Sequence, residues 1–195
     1  MMRKPAILVV AGSIRSGAFS QQTADAYAAQ LAGMECEVTR ITLADYPLPI
    51  MDEDLEEEKG IPESALKLAR LFDHHDALVV VTPEYNGSLP PLLKNAIDWV
   101  SRVSSDGDKP LAPYRDKLAL VASSSNGIMG GYSALTHLRH ILVRLGMQVL
   151  SEQMALGKAG SAFNDMGRLS GEREAGMLEK ACRSLVEKAT LLGRA

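Results

Sequence analysis

Cysteine is scarce in this sequence. Its two cysteines, Cys36 and Cys182, stand far apart and form no CxxC pair, so neither a local redox pair nor a zinc cage is predicted. The apolar spacing around Cys182 predicts a place in the core. No excess of basic residues exists either, since 21 Lys and Arg stand against 24 Asp and Glu without a basic block. This charge balance argues against nucleic acid as a partner, because nucleic-acid binders usually carry a basic stripe or patch.

Long hydrophobic runs are also missing. No stretch reaches the ~20 apolar residues that a bilayer-spanning helix needs, so no membrane span is predicted. The opening MMRKPAILVVAGS has a short apolar run and no convincing cleavage site, so we interpret it as a first strand and expect a cytoplasmic protein. The 195 residues, 46% of them apolar, suit a single domain over 1–195 that buries about 70% of its unfolded surface.

What the sequence does contain is a regular alternation of two patterns. The continuous apolar runs AILVVA at 6–11, ALVVV at 77–81 and LALVA at 118–122 are typical of parallel strands covered on both faces. CEVTRITL at 36–43 is more polar and suits an edge strand, and MQVLSEQM at 147–154 supplies a fifth. Helical apolar spacing fills the segments between them. Five βα units with short, right-handed crossovers predict a doubly wound α/β sandwich of three layers.

Two longer connections, 47–60 and 159–171, interrupt this alternation, and long loops in compact domains are often functional or mobile. The first contains the acidic run DEDLEEE at 52–58. We interpret this run as a solvated loop rather than a metal site, because charge runs usually face solvent. A helix opened by Pro62 and Glu63 is expected to follow it. Ser170 is the expected cap of the last helix.

Ligands of open α/β sheets bind beyond the carboxyl ends of the strands, where the strand order reverses. Three loops are expected there: loop A, GSIRSGAFS at 12–20; loop B, TPEYNGSLPP at 82–91; and loop C, SSSNGIMGG at 123–131. Loop A opens a helix, so its N–H groups and the helix macrodipole favour an anion. Its serines add hydroxyl groups, and Arg15 adds a forked positive charge that suits phosphate oxygens. The alternative is a tight turn in which Ser20 only caps the helix.

Loops B and C favour a flat ligand. Tyr85 and Asn86 lie in loop B between prolines that stiffen it, and an aromatic ring beside an amide can hold a planar, hydrogen-bonding ring. Loop C supplies serines and three glycines, which allow a ligand to approach the backbone closely. Each loop also has a simpler interpretation, a rigid turn with an exposed tyrosine for loop B and plain flexibility for loop C. Together the three loops predict a phosphate at one end of the site and a heterocycle at the other.

Several nucleotide-binding signatures are absent. Gly12 and Gly17 have P-loop spacing, but Ala18 and Phe19 replace the Lys and Ser/Thr that a triphosphate needs. No GxGxxG follows the first strand, and the second strand ends without an acid for a ribose, which argues against a dinucleotide-binding fold. The acids of a receiver-type signalling domain are absent from the strand ends as well. Flavin mononucleotide (FMN), a mononucleotide with a planar ring, fits better.

Four segments carry a resemblance to a known family: GSIRSGAFSQQ at 12–22, LPIMDEDLE at 48–56, TPEYNGSLPPLLKNAIDWVSR at 82–102 and SSSNGIMGGYSALTHLRHIL at 123–142. In this order they resemble the NADPH-dependent FMN reductases. The resemblance implies a flavodoxin-like fold, with a five-stranded parallel sheet in the order 2-1-3-4-5 and helices on both faces. It implies FMN as the cofactor and NADPH or NADH as cosubstrate.

The resemblance also implies site residues. The FMN phosphate would be held by Ser13, Arg15, Ser20 and Gln21. The flavin ring would lie against Pro83, Glu84, Tyr85, Asn86 and Gly87, flanked by Ser124, Ser125 and Gly127. Two departures matter: Ala18 and Ser20 stand where family members often have Ser and Asn, and Ser133 and Leu135 replace the usual Arg and Gln. Losing one neutral hydrogen bond to phosphate costs about 1 kcal/mol, so FMN is expected to bind more loosely unless Ser16 and Gln21 compensate.

The activity that the resemblance implies is ping-pong hydride transfer from NAD(P)H through FMN to a small-molecule acceptor, which is a quinone, an azo dye, chromate or free flavin. No catalytic side chain and no metal ligand are predicted, because the cofactor carries the chemistry. An electron-carrier flavodoxin that binds FMN without using NAD(P)H directly is the alternative. Second apolar stripes on two helices, Leu92, Trp99 and Val103 on one and Tyr132 and Val143 on the other, predict subunit contacts. The resemblance implies a homodimer or homotetramer.

Overall fold

A parallel sheet forms the centre of the computed structural model, which describes residues 3–104 and 111–192. Its strands are β1 (Ala6–Ala11), β2 (Glu37–Thr42), β3 (Ala77–Thr82), β4 (Leu118–Ser124), β5 (Gln148–Val149) and β6 (Met154–Leu156). The order β2-β1-β3-β4-β5 confirms the predicted topology, and β6 pairs with β4. The strand order reverses between β1 and β3, which places the carboxyl ends of β1, β3 and β4 side by side.

Helices cover both faces of this sheet. They are α1 (Phe19–Ala32), α2 (Glu53–Lys59), α3 (Glu63–His74), α4 (Pro91–Ser101), α5 (Tyr132–Arg144) and α6 (Glu172–Leu192). Alternate residues of each strand point to opposite faces. Ile7 and Val9 therefore pack with α1 and α6, whereas Leu8 and Val10 pack with α3, α4 and α5. Both layers are apolar, which is why the central strands are continuous hydrophobic runs.

The fifth strand is broken. A single strand was expected from 147 to 154, but β5 pairs with Leu118 and Ala119, and β6 pairs with residues 122–124 of β4. The polar residues Ser151, Glu152 and Gln153 separate the two pieces. They leave the ladder because a polar stretch gains little from the buried edge of the sheet.

The prediction that residues 52–58 form a solvated loop is wrong. Residues 53–59 form α2, and the Asp52 carboxylate caps this helix by accepting from the N–H groups of Asp54 and Leu55. Acidic residues in its first turn also suit the positive end of the helix dipole. The expected cap of the last helix is wrong too. Gly171 directly precedes α6, and its carbonyl accepts from the Ala175 N–H at 2.9 Å.

The prediction of a subunit contact on α4 is partly wrong, because another segment of the same chain covers Trp99. Trp99 is fully buried and donates its Nε1–H to the Pro49 carbonyl at 2.8 Å. Asn95 donates to the same carbonyl and accepts from the Met51 N–H, each at 2.8 Å. Arg102, the residue that follows α4, pairs with Glu56. Residues 48–59, hereafter the strap, thus lie along α4. Within the described residues, no helix combines the length and apolar character needed to cross a bilayer.

Candidate active site at the carboxyl edge of the sheet

Loops A, B and C meet at the carboxyl ends of β1, β3 and β4. The Gly12 N–H donates to the Val81 carbonyl at 2.8 Å, which fastens the start of loop A to the end of β3. A side chain at Gly12 would clash, since its Cβ would lie 2.9 Å from Leu93 Cδ2 and 3.2 Å from Pro83 Cδ. Glycine here therefore allows loop A to touch loop B and the start of α4.

Loop A presents hydrogen-bond donors that the protein does not use. The N–H groups of Ile14, Ser16, Gly17, Phe19 and Ser20 have no acceptor within the described parts of the chain. Gly17 has φ of +67°, which turns the chain into α1. The residue before the helix is Ala18, which has no side-chain acceptor for the first turn. Ser20 thus does not cap the helix. The first turn of α1 leaves its N–H groups and its positive dipole end for an anion.

The four predicted phosphate-binding residues lie in loop A or directly after it, and each makes different contacts. Ser13 is buried, and its Oγ accepts from the Arg15 N–H at 3.3 Å. The Arg15 side chain is exposed and reaches the Ser16 carbonyl at 3.2 Å. Ser20 is buried, and its hydroxyl has no hydrogen-bond partner among the residues that the structure describes. Gln21 donates its Nε2–H to the Ser13 carbonyl, while its Oε1 accepts from Arg40.

Loop B is a tight hairpin turn. Tyr85 and Ser88 exchange two backbone hydrogen bonds of 3.0 Å, and the residues between them, Asn86 and Gly87, have φ of +51° and +78°. Two positive φ angles define a type I′ turn, for which Asn-Gly is the favoured sequence. The turn leaves Tyr85 exposed. Loop B is therefore a rigid platform, as its prolines predict.

A carboxylate ties loop B to loop C. Glu84 Oε2 accepts from the Ala134 N–H in the first turn of α5 at 3.1 Å. Gly131, the residue before α5, has no side chain to cap the helix, so Glu84 supplies that cap from another loop. His137 Nδ1 lies 3.1 Å from Ser88 Oγ and adds a second link. Loop B and the start of α5 therefore form one unit.

Hydrogen bonds and close backbone packing hold loop C, which argues against its simpler interpretation as a flexible linker. Ser123 Oγ donates to the Gly130 carbonyl at 2.8 Å, and the Gly127 N–H donates to Ser125 Oγ at 3.2 Å. At Gly130 an added Cβ would lie 2.5 Å from the Ala155 carbonyl carbon, so backbone packs directly on backbone. Ser124 is buried at the end of β4, and its hydroxyl has no hydrogen-bond partner within residues 3–104 and 111–192.

Residues 156–160 are a part of the site that the sequence analysis did not assign to it, although residues 159 and 160 begin the second long connection. The Ser125 N–H donates to the Leu156 carbonyl, and the Ala159 N–H donates back to the Ser125 carbonyl. The Gly160 N–H donates to Asn126 Oδ1 at 2.9 Å, and a Cβ at Gly160 would lie 3.5 Å from Phe19 Cζ. This segment therefore supports loop C and also touches the first residue of α1. The available signals were the pair of glycines at 157 and 160 and the long connection that begins at 159.

The donors present fit FMN. Unpaired backbone N–H groups, a forked Arg15 and a helix N-terminus suit a phosphate monoester. In the described part of the chain, the buried hydroxyl groups of Ser20 and Ser124 each lack a partner, which costs about 1–3 kcal/mol and is relieved by an acceptor. A rigid turn and a glycine-rich loop beside them suit a planar ring. In the described residues, no group of three or more His, Cys, Asp or Glu side chains could hold a metal ion.

The comparisons with known proteins agree with this geometry. Residues 5–161 match the family described as NADPH-dependent FMN reductase. A quinone reductase of Escherichia coli strain K12 is 38% identical over 158 residues, which cover 80% of this chain and 79% of the relative. An NAD(P)H-dependent FMN reductase of Pseudomonas aeruginosa is 32% identical over 181 residues, which cover 92% of each chain.

Solved structures show the same fold. FerB, a flavoenzyme NAD(P)H:(acceptor) oxidoreductase from Paracoccus denitrificans, superposes with a TM-score of 0.81 at 26% identity, covering 97% of this chain and all of FerB. A flavodoxin from the domain Archaea, at 10% identity, superposes with a TM-score of 0.60 and covers 94% of this chain and 98% of its own. These likenesses confirm the flavodoxin-like fold. Since the family match spans most of the sequence, the chain belongs to the NADPH-dependent FMN reductase family and is an oxidoreductase that uses FMN with NAD(P)H.

Proposed function

We propose that this protein reduces quinones with NAD(P)H, with FMN bound across loops A, B and C. The observation that carries the proposal is the set of unused donors in loop A, which lies directly beside the rigid turn of loop B. A phosphate monoester would accept from the N–H groups of loop A and of the first turn of α1. Arg15 would add a forked positive charge from the solvent side.

Side chains and backbone groups of all three loops complete this proposed site. The Ser20 and Ser124 hydroxyl groups would each gain an acceptor on or near the cofactor, and Ser13 would shape the loop through its bond to the Arg15 N–H. The backbone N–H groups of Glu84, Asn86 and Gly87 would face the flavin ring, since the Tyr85 N–H already donates to the Ser88 carbonyl. The Tyr85 and Asn86 side chains would lie at the edge of the ring. Ser125 and Gly127 would flank the ring from loop C.

Bound FMN supplies hydride acceptance and donation, so the protein contributes position and electrostatics. This explains why no acid, base or nucleophile constellation is needed at the carboxyl edge. NAD(P)H and the acceptor would use the same open face of the flavin in turn. Parallel lines in double-reciprocal plots are therefore expected.

The side chains around the site favour an apolar, planar acceptor. Ile128 and Met129 are 83% and 69% exposed at the tip of loop C, and Ile14, Tyr85 and Tyr132 are about half exposed nearby in loops A and B and at the start of α5. A ring of exposed apolar side chains gains free energy by covering an apolar ligand. A quinone suits this rim better than the dianion chromate, and the E. coli relative is named a quinone reductase.

Anaerobic reduction tests the proposal. FMN-loaded protein should lose its flavin absorbance bands on addition of NADPH or NADH, and a benzoquinone should restore them faster than an equal concentration of chromate. Bands that persist in the presence of both nicotinamides would sink the proposal. An electron-carrier flavodoxin would give that result, although the reductase relatives do not favour this alternative.

A further inference from the structure

Three side chains from two elements join into a chain of contacts behind loop A. Arg40, near the end of β2, pairs with Asp25 of α1, with 2.9 Å between Nε and Oδ1. Its Nη2 donates to Gln21 Oε1, and its Nη1 donates to the Ile41 carbonyl. The Gln21 Nε2–H then donates to the Ser13 carbonyl in loop A. Asp25, Arg40 and Gln21 are called the triad below.

The triad fixes one peptide group of loop A. Carbonyl and N–H point in opposite directions across a trans peptide bond. Once the Ser13 carbonyl points to Gln21, the Ile14 N–H must point away from it. This N–H is among the donors of loop A that have no acceptor within residues 3–104 and 111–192. The triad therefore determines where a donor of the proposed phosphate site points.

Loop A depends on this support because its local capping is weak. Ala18 occupies the position before α1 and offers no side-chain oxygen to the first turn. A Ser, Thr, Asp or Asn there would accept an N–H bond and stiffen the turn. In this chain the Gln21 amide, held by Arg40, links the first turn of α1 to the Ser13 carbonyl of the loop. The Gln22 amide adds a weaker link by donating to the Gly17 carbonyl at 3.3 Å.

The triad acts through orientation more than through net charge. The Arg40 side chain is 21% exposed, whereas that of Asp25 is 65% exposed. An ion pair with one partner so exposed contributes little to stability. Its geometric effect is larger, because the planar guanidinium donates to three acceptors at once and leaves the Gln21 amide one orientation.

We propose that the triad is a positioning device for the cofactor phosphate, which makes Gln21 and Arg40 determinants of FMN affinity without contact to the flavin ring. This inference rests on the proposed function. It assigns Gln21 to holding the loop, since Arg40 and Ser13 already engage both ends of its amide. It also assigns a role to Arg40 and Asp25, which no motif in the sequence marks.

The test compares FMN with riboflavin, which lacks the phosphate. Both are titrated into apoprotein of the wild type, Gln21→Met, Arg40→Lys and the double variant. Gln21→Met should weaken FMN about tenfold, the equivalent of one hydrogen bond, and change riboflavin affinity less than twofold. Arg40→Lys keeps the charge but loses the fork, and should weaken FMN severalfold. The double variant should lose no more than Gln21→Met alone, because the residues act as one unit.

Gln30→Met is the matched control, since it makes the same substitution on α1 three turns from the loop; it should bind both flavins like the wild type. Three outcomes would each contradict the proposed role of the triad. They are an unchanged FMN affinity in folded Gln21→Met, equal losses of affinity for FMN and riboflavin, and additive losses in the double variant. If the wild type binds FMN and NAD(P)H bleaches the bound flavin, the proposed function stands whichever of these outcomes the variants give. A wild type that binds no FMN overturns both.

Discussion

At the scale of single residues, Lys158 has an unusual backbone. It adopts φ +50° and ψ +38° between β6 and a short 3-10 turn, and a side chain in this left-handed region costs about 1–2 kcal/mol. Lys158→Gly is expected to raise the free energy of unfolding by about 0.5–1 kcal/mol, since glycine removes the strain but enlarges the unfolded ensemble. Lys158→Ala is the control, because alanine keeps the strain. Urea unfolding measures both, and an equal gain in the alanine variant would contradict the strain.

Another prediction at this scale concerns the buried thiol of Cys182 on α6. Burial, and then the nearby Cys36, raises the pKa of this thiol to about 12. An unfolded cysteine ionises near 8.5, so the raised pKa stabilises the fold below that pH. The contribution is lost as pH rises from about 8.5 toward 12, at up to about 1.4 kcal/mol per pH unit. We expect urea unfolding to show a steady stability between pH 7 and 8 and a decline above 8.5.

Cys182→Ala separates this thiol from other groups. The variant is expected to be less stable at pH 7, because it leaves a cavity, but its stability should fall less steeply between pH 8.5 and 9.5. Cys36→Ala is the companion variant. Burial also raises the pKa of the Cys36 thiol, yet that side chain is only partly buried, so its removal should change the slope less. Equal slopes for wild type and Cys182→Ala would contradict the assignment.

At the scale of elements, Asn95 and Trp99 explain how the strap stays on α4. Asn95→Ala removes two hydrogen bonds, to the Pro49 carbonyl and from the Met51 N–H. It should lower the free energy of unfolding by about 1–3 kcal/mol. It should also speed cleavage of the acidic run 52–58 by a glutamate-specific protease, because released segments are cut first. Lys94→Ala, the preceding residue, loses only an exposed pair with Asp98, and should cleave at the wild-type rate. Similar cleavage rates for both variants would show that Asn95 does not hold the strap on α4.

The elements that could be predicted are those that a pattern in their own short segment of sequence determines. β1, β3 and β4 are buried on both faces, so their apolar runs sufficed, and the rule for open sheets then placed loops A, B and C together. The strap could not be predicted, since its anchor joins Asn95 to a carbonyl 46 residues away. The same holds for the Arg40–Gln21 contact and for residues 156–160 beneath loop C. These contacts depend on tertiary distances that neither periodicity nor turn chemistry encodes.

At the scale of the whole molecule, α5 offers one exposed stripe that carries two apolar side chains, Tyr132 and Val143. These residues lie on one helical face, because positions eleven residues apart are separated by 20° around a 3.6-residue helix. The polar residues Thr136 and Arg139 lie between them on this face. Tyr132 and Val143 are each about half exposed. On α4 the strap already covers Trp99, so the predicted subunit contact narrows to α5. Tyr132 also lies beside loop C, which would bring a partner subunit close to the proposed flavin site.

A subunit contact at this stripe predicts a self-associated protein. Light scattering at micromolar concentration should give two or four times the chain mass of 21.0 kDa. Val143→Glu places a charge in the stripe, and burying an unpaired charge costs several kcal/mol, so this variant should shift toward the single-chain mass while keeping its fold by circular dichroism. Leu191→Glu makes the same kind of change at an exposed apolar residue of α6 and should leave the mass unchanged. A wild type with the mass of a single chain would refute the assembly. A Val143→Glu variant that keeps the mass of an assembled wild type would show that the subunit contact lies on another face.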